Sequence, residues 1–402
     1  MKKLNNKINV QEQLQILETC IKNEIPLHLE LEKKSYTYEN LRYNNYVNGF
    51  ARQGKAETIE DVIRFSDDIP AISFFSGAGG LDIGFDYAGF KNLASVEHNE
   101  LFCNTLKFNN PEKIVIGPPD YHGDIKRKEE IAEILEKTIG IKTPFNGVFH
   151  GGPPCQPFSI ASNQRFKKDD INFKRKGFDD VKNGDLVFEY LWLIDYFKPT
   201  AFLIENVPGI AELEDSYRIQ DKLNNLAKEG YNIWGPQVLN AADFGVPQSR
   251  TRVFIIGIKN CNSFTFPQSN IFQSACFDVF DKPLENIENH QTRIHTAESI
   301  LRYIQLDFGI RDKLGRVDRL NPYLPSKTVI AGGTKGGGRS HLHPYTPRTL
   351  SVRESARLQT FPDSYIFTGA SARQFTQVGN AVPPLLAYKI AIQLKEAIKK
   401  CS

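Results

Sequence analysis

Cys155 lies in an unusual run of glycine and proline residues. The segment from 151 to 159 reads Gly-Gly-Pro-Pro-Cys-Gln-Pro-Phe-Ser, and this composition disfavours both helix and strand around a single thiol. A thiol that a rigid turn holds at the end of a strand is suited to nucleophilic attack, because positioning supplies much of catalysis. We therefore predict that Cys155 is a catalytic nucleophile.

The other five cysteines favour a different interpretation. They are scattered, with no CxxC pair and no framework spacing, which argues against a disulfide scaffold or a structural zinc site and favours a reducing compartment. Lone cysteines are usually small, buried hydrophobic residues. We expect that role for Cys20, Cys103, Cys261, Cys276 and Cys401.

Glu205 and two arginines are candidates to complete a site around the thiol. Glu205 follows the apolar run 201–204, where a carboxylate can act as an acid or a hydrogen-bond partner, although a helix cap is the simpler alternative. Arg250 and Arg252 share one side of a strand at a period of two, a pattern that suits phosphate or carbonyl recognition beside an active site. On their own, two such arginines more often form a surface ion-pair cluster.

A glycine-rich turn marks a second candidate site. The turn Phe75-Ser76-Gly77-Ala78-Gly79-Gly80 directly follows an apolar run, and its glycines let backbone N–H groups approach a ligand closely. Asp82 stands where a dinucleotide fingerprint needs its third glycine. Glu97 lies 20 residues after Gly77, where an acid commonly accepts hydrogen bonds from a ribose. The pattern favours an adenosine-containing cofactor, with a purely structural tight turn as the alternative.

The order of short apolar runs and helical stretches predicts how these residues are positioned. Apolar runs at 72–75, 147–149, 201–204 and 253–256 each end in a small or polar cluster, which is typical of buried parallel strands. Stretches of helical period at 128–138, 186–197 and 221–228 alternate with them and predict a doubly wound α/β sheet. Ligands of such sheets bind outside the carboxyl ends of the strands, where the candidate residues cluster.

Length and composition limit the organisation of the chain. With 402 residues, 40% of them hydrophobic and 24% charged, it is a folded protein too long for one small domain. We divide it into an N-terminal extension of unknown role (1–70) with a helix at 10–22, a catalytic domain (71–260), a smaller recognition domain (261–370) and a C-terminal segment that returns to the catalytic domain (371–402). No apolar run reaches membrane-spanning length, so we expect a cytoplasmic protein with no membrane partner.

One stretch could provide a local nucleic-acid surface. The net charge of +3 is too small for the whole molecule to bind a polyanion through its overall field. Between 321 and 353 there is no Asp or Glu, while five cations surround a glycine run: Lys327, Lys335, Arg339, Arg348 and Arg353. This stretch is a candidate phosphate-binding patch, and a solvated glycine loop with stray charges is the alternative.

Six motifs, taken in order, resemble those of the DNA (cytosine-5) methyltransferases of the bacterial restriction-modification type. They are the turn 75–80, Gly-Pro-Pro-Cys-Gln-Pro-Phe-Ser at 152–159, Glu-Asn-Val at 205–207, Gln248-x-Arg250-x-Arg252, Arg-Glu-Ser-Ala-Arg-Leu-Gln at 353–359 with Phe-Pro-Asp at 361–363, and Gln-Val-Gly-Asn-Ala-Val-Pro-Pro at 377–384. The resemblance covers roughly residues 71–395 and implies a Rossmann-like methyltransferase sheet with a second, smaller DNA-recognition domain.

The resemblance also implies the chemistry. Cys155 is the residue that attacks cytosine C6, Glu205 protonates N3, Arg252 supports O2 and Arg250 helps to organise the site. Cytosine C5 becomes nucleophilic only after thiolate addition and ring protonation, and a duplex must present the base by flipping it out. The implied cofactor is S-adenosylmethionine, bound by Phe75, Ser76, Gly77, Ala78, Gly79, Gly80, Glu97, Asp124, Ile125, Leu186, Asn380 and Ala381.

Double-stranded DNA is the partner that the resemblance implies. We assign DNA contacts to Ser159, Arg165, Lys335 and Arg339, with the stretch 161–183 closing over the DNA as a loop. We expect a monomer that associates with the nucleoid through DNA and is paired functionally with a restriction endonuclease. Two positions depart from the family pattern, since Ser73 replaces a strand-end aspartate and His98 replaces a bulkier apolar or aromatic residue that often stacks on adenine.

Three other functions fit the sequence less well. An RNA (tRNA) cytosine-5 methyltransferase of the same fold would use the same catalytic residues, but the variable segment 260–344 is large enough to read a duplex groove. A nicotinamide oxidoreductase fails at Asp82 and gives the Pro-Pro-Cys turn no role. A catalytically silent DNA-binding protein has no need of an intact Cys155 and Glu205.

Overall fold

A computed structural model describes residues 7–45, 57–154, 186–210, 217–281, 286–331 and 341–401. Its strands are β1 Ile69–Phe74, β2 Phe90–Val96, β3 Val115–Ile116, β4 Val148–Gly151, β5 Ala201–Asn206, β6 Tyr231–Asn240, β7 Thr251–Lys259, β8 Arg311–Asp312, β9 Val317–Arg319 and β10 His341–Leu342. Its α-helices are α1 Val10–Lys22, α2 Leu27–Lys33, α3 Gly80–Tyr87, α4 Glu100–Asn109, α5 Lys128–Ile134, α6 Leu186–Phe197, α7 Tyr217–Lys228, α8 Phe277–Asp281, α9 Ala297–Tyr303, α10 Val352–Leu358, α11 Ser371–Asn380 and α12 Pro384–Cys401.

Seven strands form the central sheet, in the order β3-β2-β1-β4-β5-β7-β6. β1 to β5 run parallel, and their buried apolar residues face helices on both sides. One apolar cluster packs α5, α6 and α7 against the sheet, and a second packs α3 and α12 against the opposite face. The predicted doubly wound α/β sheet is therefore confirmed.

One predicted strand runs the other way. The run 253–256 was expected to be parallel, but it lies in β7, which is antiparallel to both β5 and β6. Its residues are buried on both faces, and the sequence of a doubly covered strand carries no sign of its direction. The prediction of a parallel strand was wrong.

The predicted helices are found, with small differences at their ends. The helix expected at 10–22 is α1, capped by the Asn9 side chain, which accepts a hydrogen bond from the Gln11 N–H. The stretch 128–138 is α5 followed by one π-helical turn at Leu135–Ile139. α6 covers 186–197 as predicted, and α7 begins four residues before the predicted start at 221.

Two of the cysteines correct the sequence analysis. Cys261 and Cys401 form a disulfide across a separation of 140 residues, so the expectation of two lone thiols was wrong. The end of α12 packs beside the chain that leaves β7, a proximity that no local spacing reveals. Cys20, Cys103 and Cys276 are free and buried, as expected.

The 261–370 region has its own small elements. β8, β9 and β10 form a three-stranded sheet, and α9 packs with α1 and α2 of the N-terminal part of the chain. No helix in the described part of the chain is long and apolar enough to span a membrane.

Candidate active site and cofactor pocket

The register of three neighbouring strands brings the sequence motifs together. Phe74 at the end of β1 pairs with Gly151 of β4, and Gly151 pairs with Ile204 of β5. The glycine-rich turn and the Pro-Pro turn therefore leave the sheet side by side, next to Glu205 at the end of β5. This edge is also where the strand order reverses, between β1 and β4, which is the usual ligand position in such a sheet.

The chain before Cys155 is anchored by β5. The side-chain amide of Asn206 donates to the carbonyl of Pro153 at 3.2 Å. A Cβ at Gly152 would lie 2.7 Å from Oε2 of Glu205, so any larger residue at this position would have to displace the carboxylate. Cys155 itself lies outside the described residues, as do Ser159 and Arg165 of the predicted DNA contacts.

Glu205 is buried and paired with Arg252. The Nε of Arg252 lies 2.9 Å from Oε1 of Glu205, and both side chains are only 10–13% exposed. Burial raises the pKa of Glu205, and the positive charges of Arg252 and Arg250 offset only part of that effect. A carboxyl group with a raised pKa can hold and donate a proton near neutral pH.

Arg250 has a different environment from Arg252. Its guanidinium is buried and donates to the main-chain carbonyls of Val329 at 3.2 Å and Gly379 at 2.9 Å. It therefore binds β7 to the 261–370 region and to α11. Of the two arginines, Arg252 is the one that contacts Glu205.

A cavity of about 230 Å³ opens beside the glycine-rich turn. It is lined by Phe75, Val96, Glu97, His98, Gly123, Asp124, Ile125, Lys126, Pro154 and Leu186. Five predicted cofactor residues thus share one cavity, together with the residue that precedes Cys155. Its apolar walls and two carboxylates suit a nucleoside, with a base between apolar side chains and hydroxyls donating to an acid.

Glu97 connects the cavity to the turn. Its Oε2 accepts the N–H of Gly77 at 2.8 Å, and its Oε1 accepts the N–H of Asn99 at 2.8 Å. Nδ1 of His98 lies 3.2 Å from Oε1, and this contact raises the pKa of His98. Glu97 is therefore fixed in orientation at the wall of the cavity.

Asp82 links the residues behind this wall of the cavity through hydrogen bonds, and the sequence did not predict that role. It is buried and accepts from Ser73 at 2.6 Å, from Ser95 at 2.7 Å and from Lys113 at 2.7 Å. Ser76 of the turn donates to Ser73 at 2.8 Å. Burial by itself raises the pKa of Asp82, but Lys113 and the surrounding donors lower it to about 2. The carboxylate absent at Ser73 is thus supplied from α3.

The rest of the predicted cofactor turn packs against the C-terminal motifs. The carbonyl of Ala78 accepts from the Tyr365 hydroxyl at 2.8 Å, and a Cβ at Gly80 would lie 3.2 Å from Cβ of Ala381 and 2.2 Å from the carbonyl of Val382. Ala381 accordingly packs against the turn, whereas Asn380 is exposed, and neither residue is among the described residues that line the cavity. Tyr365 is 287 residues from Ala78, so no local pattern could have identified it.

The predicted basic patch is only partly a surface. Arg348 and Arg353 are buried, Arg348 against Glu354 and Arg353 against the carbonyls of Pro362 and Tyr365. Their assignment to a phosphate-binding patch was wrong, because internal acceptors already bind both guanidinium groups. Lys327 is 64% exposed and pairs with Asp318, while Lys335 and Arg339 lie outside the described residues.

Comparison with known proteins gives a consistent picture. The family model described as C-5 cytosine-specific DNA methylase matches residues 69–396. The Type II methyltransferase M.FnuDI of Fusobacterium nucleatum is 30% identical over 81% of this chain and 94% of its own length. M.MthTI of Methanothermobacter thermautotrophicus, a Type II methyltransferase, is 33% identical over 81% of this chain and 97% of its own. A prophage-encoded E. coli structure, described as a DNA modification methyltransferase, superposes with a TM-score of 0.66 at 26% identity and covers 83% of this chain and 100% of its own.

Proposed function

The chain belongs to the C-5 cytosine-specific DNA methylase family, and from that premise we propose that it methylates C5 of one cytosine within a short duplex DNA sequence. S-adenosylmethionine is the methyl donor that the family and the fold imply. The observation that carries the proposal is the position of Pro154, which lines the cofactor cavity next to Cys155 while Asn206 anchors the preceding residue beside Glu205.

Each residue has a defined task in the reaction. The Cys155 thiolate forms a bond to C6, and Glu205 donates a proton to N3, so that C5 gains electron density. When bound, S-adenosylmethionine would supply the electrophilic methyl group that C5 accepts, and the sulfonium sulfur would keep the bonding pair and leave as S-adenosylhomocysteine. A base then removes the C5 proton, N3 returns its proton, and the bond between sulfur and C6 breaks. Arg252 orients the Glu205 carboxyl and supports the cytosine O2.

The cofactor pocket fits this donor by its chemistry. The Glu97 carboxylate suits the ribose hydroxyls, and Asp124 and Ile125 suit the adenine edge, with Phe75 and Leu186 as apolar walls. Ser159 and Arg165 remain proposed DNA contacts, as do Lys335 and Arg339. We also propose a monomer that protects DNA from a cognate restriction endonuclease, in line with its Type II methyltransferase relatives.

The first test is the methylation pattern in cells. Expressed in a host that lacks cytosine methylation, the protein should protect cytosines from bisulfite conversion within one short motif only. Complete conversion of the DNA would contradict the proposal, and methylation of tRNA with duplex DNA untouched would favour the RNA alternative.

The second test concerns the nucleophile. Cys155→Ala should abolish methyl transfer while the dissociation constant of S-adenosylmethionine stays close to that of the wild type, since the thiol acts on the base. Cys276→Ala is the matched control because Cys276 is a free, buried thiol whose Sγ donates to the carbonyl of Asn321. Equal turnover by Cys155→Ala and the wild type would overturn the mechanism.

A further inference from the structure

Residues 7–45 lie outside the part of the chain that the family model matches, which begins at residue 69. α1 and α2 bury an apolar face against α9 and against strands β9 and β10. The shared cluster contains Ile8, Ile16, Leu17, Cys20, Leu27, Leu31 and Leu41 from this N-terminal segment, and Ala297, Ile300, Tyr303, Ile304, Val317 and Leu342 from the 261–370 region. Neither face is covered without the other.

Polar contacts fix this packing at one place in the 261–370 region. The Tyr43 hydroxyl donates to the carbonyl of His343 at 2.8 Å, and Nζ of Lys7 donates to Oγ1 of Thr346 at 3.0 Å. Glu39 pairs with Nε of Arg348. All three partners lie in the chain that directly follows β10, so the N-terminal segment helps to hold this chain in place.

Arg319 provides the second line of evidence. Its guanidinium carbon lies 3.5 Å from the centroid of the Tyr43 ring and 4.1 Å from that of Phe308. It also donates to the carbonyl of Pro344 at 3.0 Å and to the side chain of Asn45 at 3.0 Å. A buried guanidinium needs all of its neighbours, and the N-terminal segment supplies two of them.

We propose that residues 7–45 form a structural part of the DNA-recognition unit, together with the 261–370 region. Within this segment, Tyr43 is a positioning residue for the binding of duplex DNA. The inference rests on the proposed function, in which the 261–370 region contacts the duplex. The cofactor cavity is lined by other residues. Disturbing the N-terminal segment therefore affects the DNA and leaves the cofactor unaffected.

The decisive variant is Tyr43→Ala in the full chain. It removes the ring over Arg319 and the hydroxyl from His343, and we expect KM for a duplex substrate to rise about tenfold. We expect kcat and the dissociation constant of S-adenosylmethionine to stay within about twofold of the wild type. Tyr43→Phe keeps the ring and should restore most of the lost DNA affinity.

Tyr231→Ala is the matched control. Tyr231 is equally buried, and its hydroxyl also donates to a main-chain carbonyl, that of Pro199, but it lies at the far edge of the main sheet. It should lower thermal stability without a selective rise in the KM for DNA. An unchanged KM for DNA in Tyr43→Ala, or the same rise in Tyr231→Ala, would overturn the inference.

A milder pair of variants covers the case in which Tyr43→Ala does not fold. Glu39→Gln removes the pairing with Arg348, whereas Glu18→Gln removes the same charge from the exposed face of α1. We expect the KM for DNA to rise about two- to threefold in Glu39→Gln only, and equal values in the two variants would count against the inference. If the wild type methylated no DNA, the proposed function would fail, but duplex binding by these variants, followed by fluorescence anisotropy, would still decide this inference.

Discussion

Two buried charges of opposite sign each hold together one region of the molecule. Beneath the cofactor turn, the carboxylate of Asp82 gathers donors from Ser73, Ser95 and Lys113. In the 261–370 region, the guanidinium of Arg348 gathers the carboxylates of Glu354 and Glu39. The first centre connects α3 to β1, β2 and Lys113, and the second connects the N-terminal segment to Arg348 and to Glu354 of α10.

The difference lies in sequence distance and in what each centre supports. Lys113 is 31 residues from Asp82, whereas Glu39 is 309 residues from Arg348. The Asp82 centre reaches the cofactor turn through Ser76, so a change there should alter the binding of the cofactor. The Arg348 centre holds the 261–370 region to the N-terminal segment, so a change there should alter the stability of that region.

Removing the carboxylate of Glu354 should have the largest effect. Glu354 and Arg348 are both buried and form two hydrogen bonds at 2.8–2.9 Å. Burial by itself raises the pKa of Glu354, but Arg348 holds it well below its usual range. Glu354→Ala leaves a buried, poorly paired guanidinium, and we expect the free energy of unfolding to fall by about 3–5 kcal/mol.

Urea denaturation of the full chain measures this loss. Glu354→Gln is the control, because an amide oxygen can still accept a hydrogen bond from Arg348, and we expect a smaller loss. A loss below about 1 kcal/mol for Glu354→Ala would show that the Arg348 centre is no more important than a surface pair.

Asp82→Asn should have the next largest effect and a different signature. It weakens the four hydrogen bonds that the charged carboxylate accepts, from Ser73, Asn92, Ser95 and Lys113, for an expected loss of about 2 kcal/mol in the free energy of unfolding. Because Ser76 joins this network, we also expect the dissociation constant of S-adenosylmethionine to rise about fivefold. Asp86→Asn on the same helix breaks only a surface pair with Arg64 and should change neither quantity appreciably. An unchanged cofactor affinity in Asp82→Asn would show that the hydrogen bonds to Asp82 do not contribute to the shape of the cofactor pocket.

Acid should destabilise the 261–370 region more than the central sheet. Burial lowers the pKa of His150 in β4, and of His295 and His341 in the 261–370 region, to about 4. The unfolded chain takes up these protons below about pH 6.5 while the folded chain does not, so stability is greatest above pH 6.5 and falls as the pH approaches 4. Each histidine should cost about 1–2 kcal/mol at pH 5.

Hydrogen exchange at pH 7 and pH 5 can separate the two regions. We expect amides of β9, β10 and α9 to lose more protection at pH 5 than those of β1 and β4, since two of the three histidines lie in the 261–370 region. His150→Phe should reduce the acid sensitivity of the sheet only. Equal loss of protection across the chain would mean that the two regions open as one unit.

The sequence predicted those parts of the molecule that depend on local pattern. The alternation of apolar runs and helical stretches predicted the doubly wound sheet. Five residues that the resemblance assigned to the cofactor line one cavity, and their role in binding it stays a prediction. The direction of β7, the disulfide between Cys261 and Cys401 and the burial of Arg348 were all predicted wrongly. Each of these depends on which distant segments pack together, and side-chain types at short spacing carry no information on that.

Tyr365→Phe should give the smallest effect and tests how far the cofactor turn depends on the C-terminal motifs. The variant removes only the hydrogen bond from the Tyr365 hydroxyl to the carbonyl of Ala78, and the ring stays packed with Phe361 and Phe367. We expect a loss of about 1 kcal/mol in the free energy of unfolding and a rise of about twofold in the dissociation constant of S-adenosylmethionine, both measured by calorimetry. If the dissociation constant rose as much as we expect for Asp82→Asn, the contact with Tyr365 would matter as much to the turn as the network around Asp82.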